Sequence, residues 1–251
     1  MTAYVGSTQC QKTGTISIAA AGGGTWFLPS SARAAGQGGS FYTTDLTVAN
    51  RTANDASVTL KFLGHDVDGR GSVEQTVSIG AGQVATFGDV LGNVFGVSSG
   101  YGAIQVSSTA VSLNVLGQTS TPGPSGGTFG QSVPASGQAD LVTTSAARSI
   151  VAVREDASFR TNLILTNATE ATLVVDVKLL SGAGTQLSSG SYTLPPLGMT
   201  QVTQVVRALG VAADLQNGQL LLSTATPGGA FAAYASVIDR TTNDPRTLLP
   251  R

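Results

Sequence analysis

Apolar and polar residues alternate in two widely separated stretches of this chain. In the first, Leu46 and Val48 flank Thr47, and Val58, Leu60 and Phe62 alternate with Thr59 and Lys61. In the second, Leu163 and Leu165 repeat the first strand, and Val175, Val177 and Leu179 alternate with Asp176 and Lys178. A period of two puts successive side chains on opposite faces of a strand, one buried and one wet. The two stretches also share letters. TDLTVANRTANDASVTLKFL (44–63) lies over TNLILTNATEATLVVDVKLL (161–180), 117 residues further on, with seven identities in twenty. The chain therefore carries a duplicated module.

Turn signals punctuate both copies. NRTAND (50–55) and NATEAT (167–172) follow the first strand of each pair, and IGAG (79–82) and PPLG (195–198) close a third strand. GAIQVSS (102–108) matches GQLLLST (218–224), which pairs Ile104 with Leu220 and Val106 with Leu222. AVSLNVLGQTS (110–120) matches the region FAAYASVIDRT (231–241). One segment per copy leaves the strand period. Val90, Leu91, Val94 and Phe95, and likewise Val205, Val206 and Leu209, fall at helical spacing, so each copy is expected to hold one short helical turn.

About seven strands at intervals near 8–12 residues predict a β-sandwich. The expected fold is all-β: two tandem sandwiches from internal duplication, preceded by an extension. The expected bounds are 1–25 for the extension, 26–135 for the first module, 136–144 for a small, polar linker and 145–251 for the second module. Two such units in a row predict an elongated object, and each is long enough to hold a core of its own.

Composition narrows the function classes. The chain has 251 residues and 32 glycines, and only 11% of it is charged, against about 25% in a typical domain. Ser, Thr, Gln, Asn and Gly must therefore supply most of its surface. A formal net charge of −1 offers no footprint for nucleic acid, and no window is apolar enough for a transmembrane helix. The single cysteine, Cys10, rules out an internal disulfide framework. It is an incidental thiol or an intermolecular crosslink. Residues 1–20 lack the basic and apolar regions of a signal peptide, so a mature form or another export route is expected.

Candidate chemistry is sparse. The one histidine, His65, lies in GHDVDGRG without a nucleophile motif and without a counterpart in the second copy, so it is expected as a solvated loop residue. Asp66 and Asp68 with Gly69 resemble the start of a calcium loop. Arg70 occupies the next ligand position and no glutamate follows at the twelfth, so an Asp/Gly turn is the competing reading. Asn50 and Asn167 open N-x-T sequons at equivalent positions, as glycan acceptors or as turn residues. Trp26, Tyr42 and Tyr101 are the candidates for an aromatic sugar platform. No cofactor and no catalytic residue is expected.

The extension holds TGTISIAAA (13–21), in which Ile16 and Ile18 alternate with Thr15 and Ser17 behind a glycine tether. Two readings stand: an edge strand of its own module, or a strand donated to a neighbouring subunit. The second would generate polymers, because head-to-tail contact does not close.

FYTTDLTVANRT…VTLKFL, GDVLGNVFGV…GYGAIQV and GQTSTPGPSGGTFGQSVPA resemble a repeated immunoglobulin-like module of large secreted and surface-exposed bacterial proteins. The resemblance spans nearly all of 26–135 and thins over 145–251, where TFGQSVPA gives way to RTLLP. It implies a structural or adhesive role at the cell surface or outside the cell. The combined expectation is a non-enzymatic subunit that assembles with copies of itself. The alternative is a module pair that binds a surface polysaccharide.

Overall fold

The computed structural model describes residues 23–36, 39–110, 112–123 and 126–251. Strands β1 (Gly24–Ala35), β2 (Phe41–Asn50), β3 (Ala56–Gly64), β4 (Glu74–Ile79) and β5 (Val84–Phe87) lead to the one-turn helix α1 (Val90–Asn93). Then follow β6 (Gly100–Ser108), β7 (Leu113–Pro122), β8 (Thr128–Pro134) and the short β9 (Ser136–Gly137). The second half begins with β10 (Val142–Thr143), β11 (Arg148–Glu155), β12 (Phe159–Asn167), β13 (Leu173–Leu180), β14 (Gln186–Leu194) and β15 (Met199–Val202). It ends with helix α2 (Val205–Ala208), β16 (Leu215–Ser223), β17 (Ala230–Asp239) and β18 (Pro245–Leu248). The fold is all-β and sandwich-like, compatible with immunoglobulin-like folds.

The duplication is visible in the hydrogen-bond ladders. β4-β3-β6-β1 has its counterpart in β14-β13-β16-β11, and β5-β2-β7-β8 in β15-β12-β17-β18, all antiparallel. Ile104 sits opposite Phe62 as Leu220 sits opposite Leu179. Val115 faces Val48 and Ala233 faces Leu165. That register is three residues away from the letter-by-letter match of 110–120 with 231–241. One difference separates the halves. β1 bulges between Leu28 and Ser31 and goes on to pair with β2, which makes a continuous nine-stranded sheet. β11 bulges around Ala152 (φ 61°) and, among the described strands, pairs with β16 alone.

Leu46, Val48, Val58 and Leu60 are fully buried, as are Leu163, Leu165, Val175, Val177 and Leu179. Phe62 departs from its expected burial. It is half-exposed beside Phe95, ring centroids 5.9 Å apart, while Leu63 on the opposite face is sealed. The alternation ends there because residues from the second half cover that face of the sheet end. Residues 136–144 do not run free: Ser136 and Gly137 pair with β1, Gln138–Asp140 form a 3₁₀ turn, and Val142 pairs with β17.

The shared letters now have physical reasons. Asp45 and Asn162 each accept the backbone N–H of the residue preceding the helix, Asp89 and Gln204, at 2.8 and 3.1 Å. Both of those residues adopt left-handed backbone (φ 42° and 51°), and both helices stop at a left-handed glycine, Gly96 or Gly210. Asn50 is buried. Its amide donates to the carbonyls of Asn54, Ile79 and Gly80 at 2.8–3.1 Å, and its Oδ1 accepts from the Thr52 N–H and hydroxyl. Asn167 does the same with Ala171, Pro195 and Thr169. The N-x-T sequence is thus an internal clamp: it ties the turn after β2 to the end of β4, and the turn after β12 to the residue following β14. With its amide buried and spent on carbonyls, the side chain is out of reach of a glycosylating enzyme in the folded protein.

Asn50→Ala and Asn167→Ala each strand several backbone carbonyls, so each should lower the unfolding free energy by roughly 2–4 kcal/mol. Urea denaturation of the two variants checks this, and a loss under about 1 kcal/mol would contradict the clamp.

Candidate binding cleft at the seam

In the first half, β2 and β7 keep one buried and one open face. Their counterparts β12 and β17 are buried on both faces. The reason lies in the residues that point away from the second core. Arg160, Asn162 and Ile164 alternate along β12 and stand opposite Ile238, Ser236 and Tyr234 of β17. Ile164, Ala232 and Tyr234 join the core cluster of the first half, where β1 supplies Leu28 and β6 supplies Ile104. A buried Ile or Tyr side chain contributes about 1.5–3 kcal/mol, so this face holds the two halves together.

Polar contacts fix the register of the seam. The Thr166 hydroxyl donates to the carbonyl of Pro29 at 3.2 Å, at the bulge of β1. Gln131 of β8 reaches across to three residues. Its amide donates to the Tyr234 hydroxyl at 3.2 Å, and its oxygen accepts from Ser236 at 3.0 Å and Thr247 at 3.3 Å. Burial pushes the Tyr234 phenol up to about 12, outweighing the opposing effect of its hydrogen bonds to Ser30 and Gln131.

The loop after β3 forms the other end of the seam. His65 is half-buried there, its ring 4.4 Å from that of Tyr101 and its Nε2 3.2 Å from Asp66 Oδ2. It makes a parallel bridge with Met199 of β15, so the expected solvated loop residue is in fact part of an interface. Asp66, in left-handed backbone (φ 54°), donates its N–H to the Met199 carbonyl and accepts the Thr200 hydroxyl at 2.6 Å. Gly69 donates to the Pro196 carbonyl at 2.9 Å. A Cβ at Gly69 would lie 2.1 Å from the Leu197 carbonyl oxygen, so only glycine admits this approach. Asp68 is turned elsewhere, onto Arg70, whose guanidinium holds its carboxyl below the usual range. The calcium candidates Asp66 and Asp68 are therefore engaged by different partners and do not converge. Among the described residues no group of three or more His, Cys, Asp or Glu is placed to hold a metal ion.

Between these two fastenings the seam opens into a cleft of about 360 Å³. Ser30, Ala32, Ala34, Ala35 and Gly36 form one wall, and their small side chains create the space. Arg160, Asn162, Ile164, Gln201, Tyr234, Ser236 and Ile238 form the opposite wall. Tyr42, Tyr101, Thr119, Gln131, Asn243 and Pro245 complete it. Arg160 is the only charged residue among them. Burial lowers its pKa, and so does the nearby Arg240, while Tyr42 opposes them. Of the three proposed platform aromatics, Tyr42 and Tyr101 line the cleft. Trp26 does not; its ring lies over Gly24 and beside Gly137. Arg160 and Tyr234 escaped the sequence reading. The available signal was the apolar Ile164, which stands where the first copy has Thr47.

Thr15, Ile16, Ser17, Ile18 and Cys10 lie outside the described residues. No described helix is long and apolar enough to cross a membrane. The chain matches no family model, no curated protein and no solved structure.

Between pH 10 and about 12 the unfolded phenol ionises while the folded one stays protonated, so rising pH there favours the unfolded state. The contribution of Tyr234 is thus whole below pH 10 and lost as pH climbs from 10 to about 12. Tyr234→Phe should cost about 1–2 kcal/mol at neutral pH through its lost hydrogen bonds. It should also lose less stability than the parent across that alkaline window, as thermal melts at stepped pH will show. An unchanged alkaline profile would refute the assignment.

Proposed function

We propose that this protein is a non-enzymatic structural subunit of the cell surface or extracellular space, and that it assembles with copies of itself by β-strand complementation. The observation that carries this reading is the edge strand β14. Its nine residues, QLSSGSYTL, contain no charge and no proline, and they pair only with β13 among the described residues. Edges without lysine or proline are templates for added strands, and the one irregularity of β14 lies at its start, where Leu187 has no partner on β13, leaving Ser188–Leu194 in regular register. Other edges of the second half are covered. Arg251 exchanges backbone hydrogen bonds with Ser149 of β11, and the 65–69 loop lies along β15 and the turn before it.

The nine-residue segment 13–21 matches β14 in length, and its alternation suits an added strand. Segment 13–21 of one copy on β14 of the next is a head-to-tail contact that propagates into a filament or surface layer. Sparse charge favours such packing, and the resemblance to modules of secreted and surface-exposed bacterial proteins supports the location. The ring of His65 is committed to Tyr101 and Asp66 at the seam, which favours a structural over a catalytic role.

Size-exclusion chromatography and electron microscopy test the reading on three proteins: the full chain, the chain lacking residues 1–21, and Ser189→Lys/Ser191→Lys on β14. The full chain should form polymers. Both altered proteins should stay monomeric with unchanged melting temperature. Normal assembly by either altered protein would sink the proposal.

A further inference from the structure

Independently of self-assembly, we propose that the cleft between the two halves binds a neutral sugar unit, held by Asn162, Gln201 and the hydroxyls of Tyr42 and Tyr101. The volume of about 360 Å³ falls within the range of small-molecule sites. The chemistry of the ligand follows from which lining groups are already spent. Arg160, the only charged one, is engaged within the protein, so a charged ligand would find no free counter-ion. Gln131 is spent on Tyr234 and Ser236. Asn162 is different. It is 8% exposed, and its Oδ1 accepts the Gln204 N–H at the start of α2. That bond fixes the orientation of the amide. The Nδ2 left over has no acceptor among the described residues and stays open to water at the cleft. Whatever fills the cleft must therefore offer it an oxygen.

Three further lining groups are uncommitted and uncharged. Gln201 stands opposite Ile164 on β15, and among the described residues neither its amide nor the hydroxyls of Tyr42 and Tyr101 form a hydrogen bond. Apolar surface lies beside them: Ala32 and Ala34 at alternate positions of β1, Ile164, and the two tyrosine rings. A pyranose ring matches both sets, because its C–H faces are apolar and its rim of hydroxyls donates and accepts. A wholly apolar ligand would leave two amides unpaired. The alanines set the thickness, leaving a slot where larger residues would close the seam.

Isothermal titration calorimetry on the full chain tests the proposal with glucose, galactose, mannose, N-acetylglucosamine, cellobiose and lactose, and with glucuronate and galacturonate as charged counterparts. At least one neutral sugar should bind, and tighter than either uronate. A disaccharide binding tighter than its monosaccharides would identify a polysaccharide as the source; equal binding would identify the free sugar. Gln201→Leu, which removes a polar group without touching the helix cap, should weaken that sugar roughly fivefold or more. Asn162→Ala should do the same but also gives up the cap, so melting curves accompany it. Ala34→Leu fills the slot, leaves every polar group in place and should abolish binding. Absence of binding by all six neutral sugars, uronate binding as tight as theirs, or full binding by a folded Ala34→Leu protein would each overturn the assignment. The polymerisation assay reads a different surface, so the two proposals fail separately.

Discussion

The outer face of the β12–β17 sheet is the surface on which the molecule's organisation depends. A half-wet sheet face is normally left to solvent, and the equivalent face in the first half is. In the second half Ile164, Ala232 and Tyr234 make it apolar at the centre, and the first half must cover it. Everything at the seam follows from that burden. β1 carries small residues so that it can approach, Gln131 satisfies the Tyr234 hydroxyl, and Gly69 lets the 65–69 loop meet the Leu197 carbonyl. The two sandwich-like halves are joined through this one buried face.

The duplication shows how such an interface arises from equal modules. Features needed by each module alone recur in both copies: the Asn clamp, the polar cap before the helix, and the left-handed glycine behind it. Features that belong to the seam occur in one copy only. His65 and Gly69 come from the first, and Ile164 and Tyr234 from the second. Loss of symmetry at a position is therefore the mark of contact between the halves. The cleft follows the same rule, with an alanine-lined strand from one copy and Arg160 from the other.

Edges and faces are handled by different means in this protein. The covered face uses apolar side chains and a few directed hydrogen bonds, while the edges depend on chain crossing: Arg251 at β11 and the 65–69 loop at β15. β14 receives neither, and its serine-rich sequence offers neither charge nor proline in compensation. That contrast within one module makes β14 the natural place for a further strand.

Period-two alternation in the sequence was enough to identify most strands, the buried set at Leu46, Val48, Leu163 and Leu165, and the helical turns at Val90 and Val205. These are local consequences of backbone geometry and of the need to bury one face. Phe62 was misjudged because its exposure depends on what covers the end of the sheet, which no local pattern records. The Asn50 and Asn167 clamps were visible as motifs, but their carbonyl partners lie 28 to 30 residues away. The cleft was not legible at all, although Tyr42 and Tyr101 were noticed. Its members come from nine strands and two connecting segments, and small residues such as Ala32 and Ala34 become a cleft wall only when another sheet stops just short of them. Sequence determined which faces must be buried; tertiary packing decided what buries them, because that choice rests on shape complementarity between segments more than a hundred residues apart.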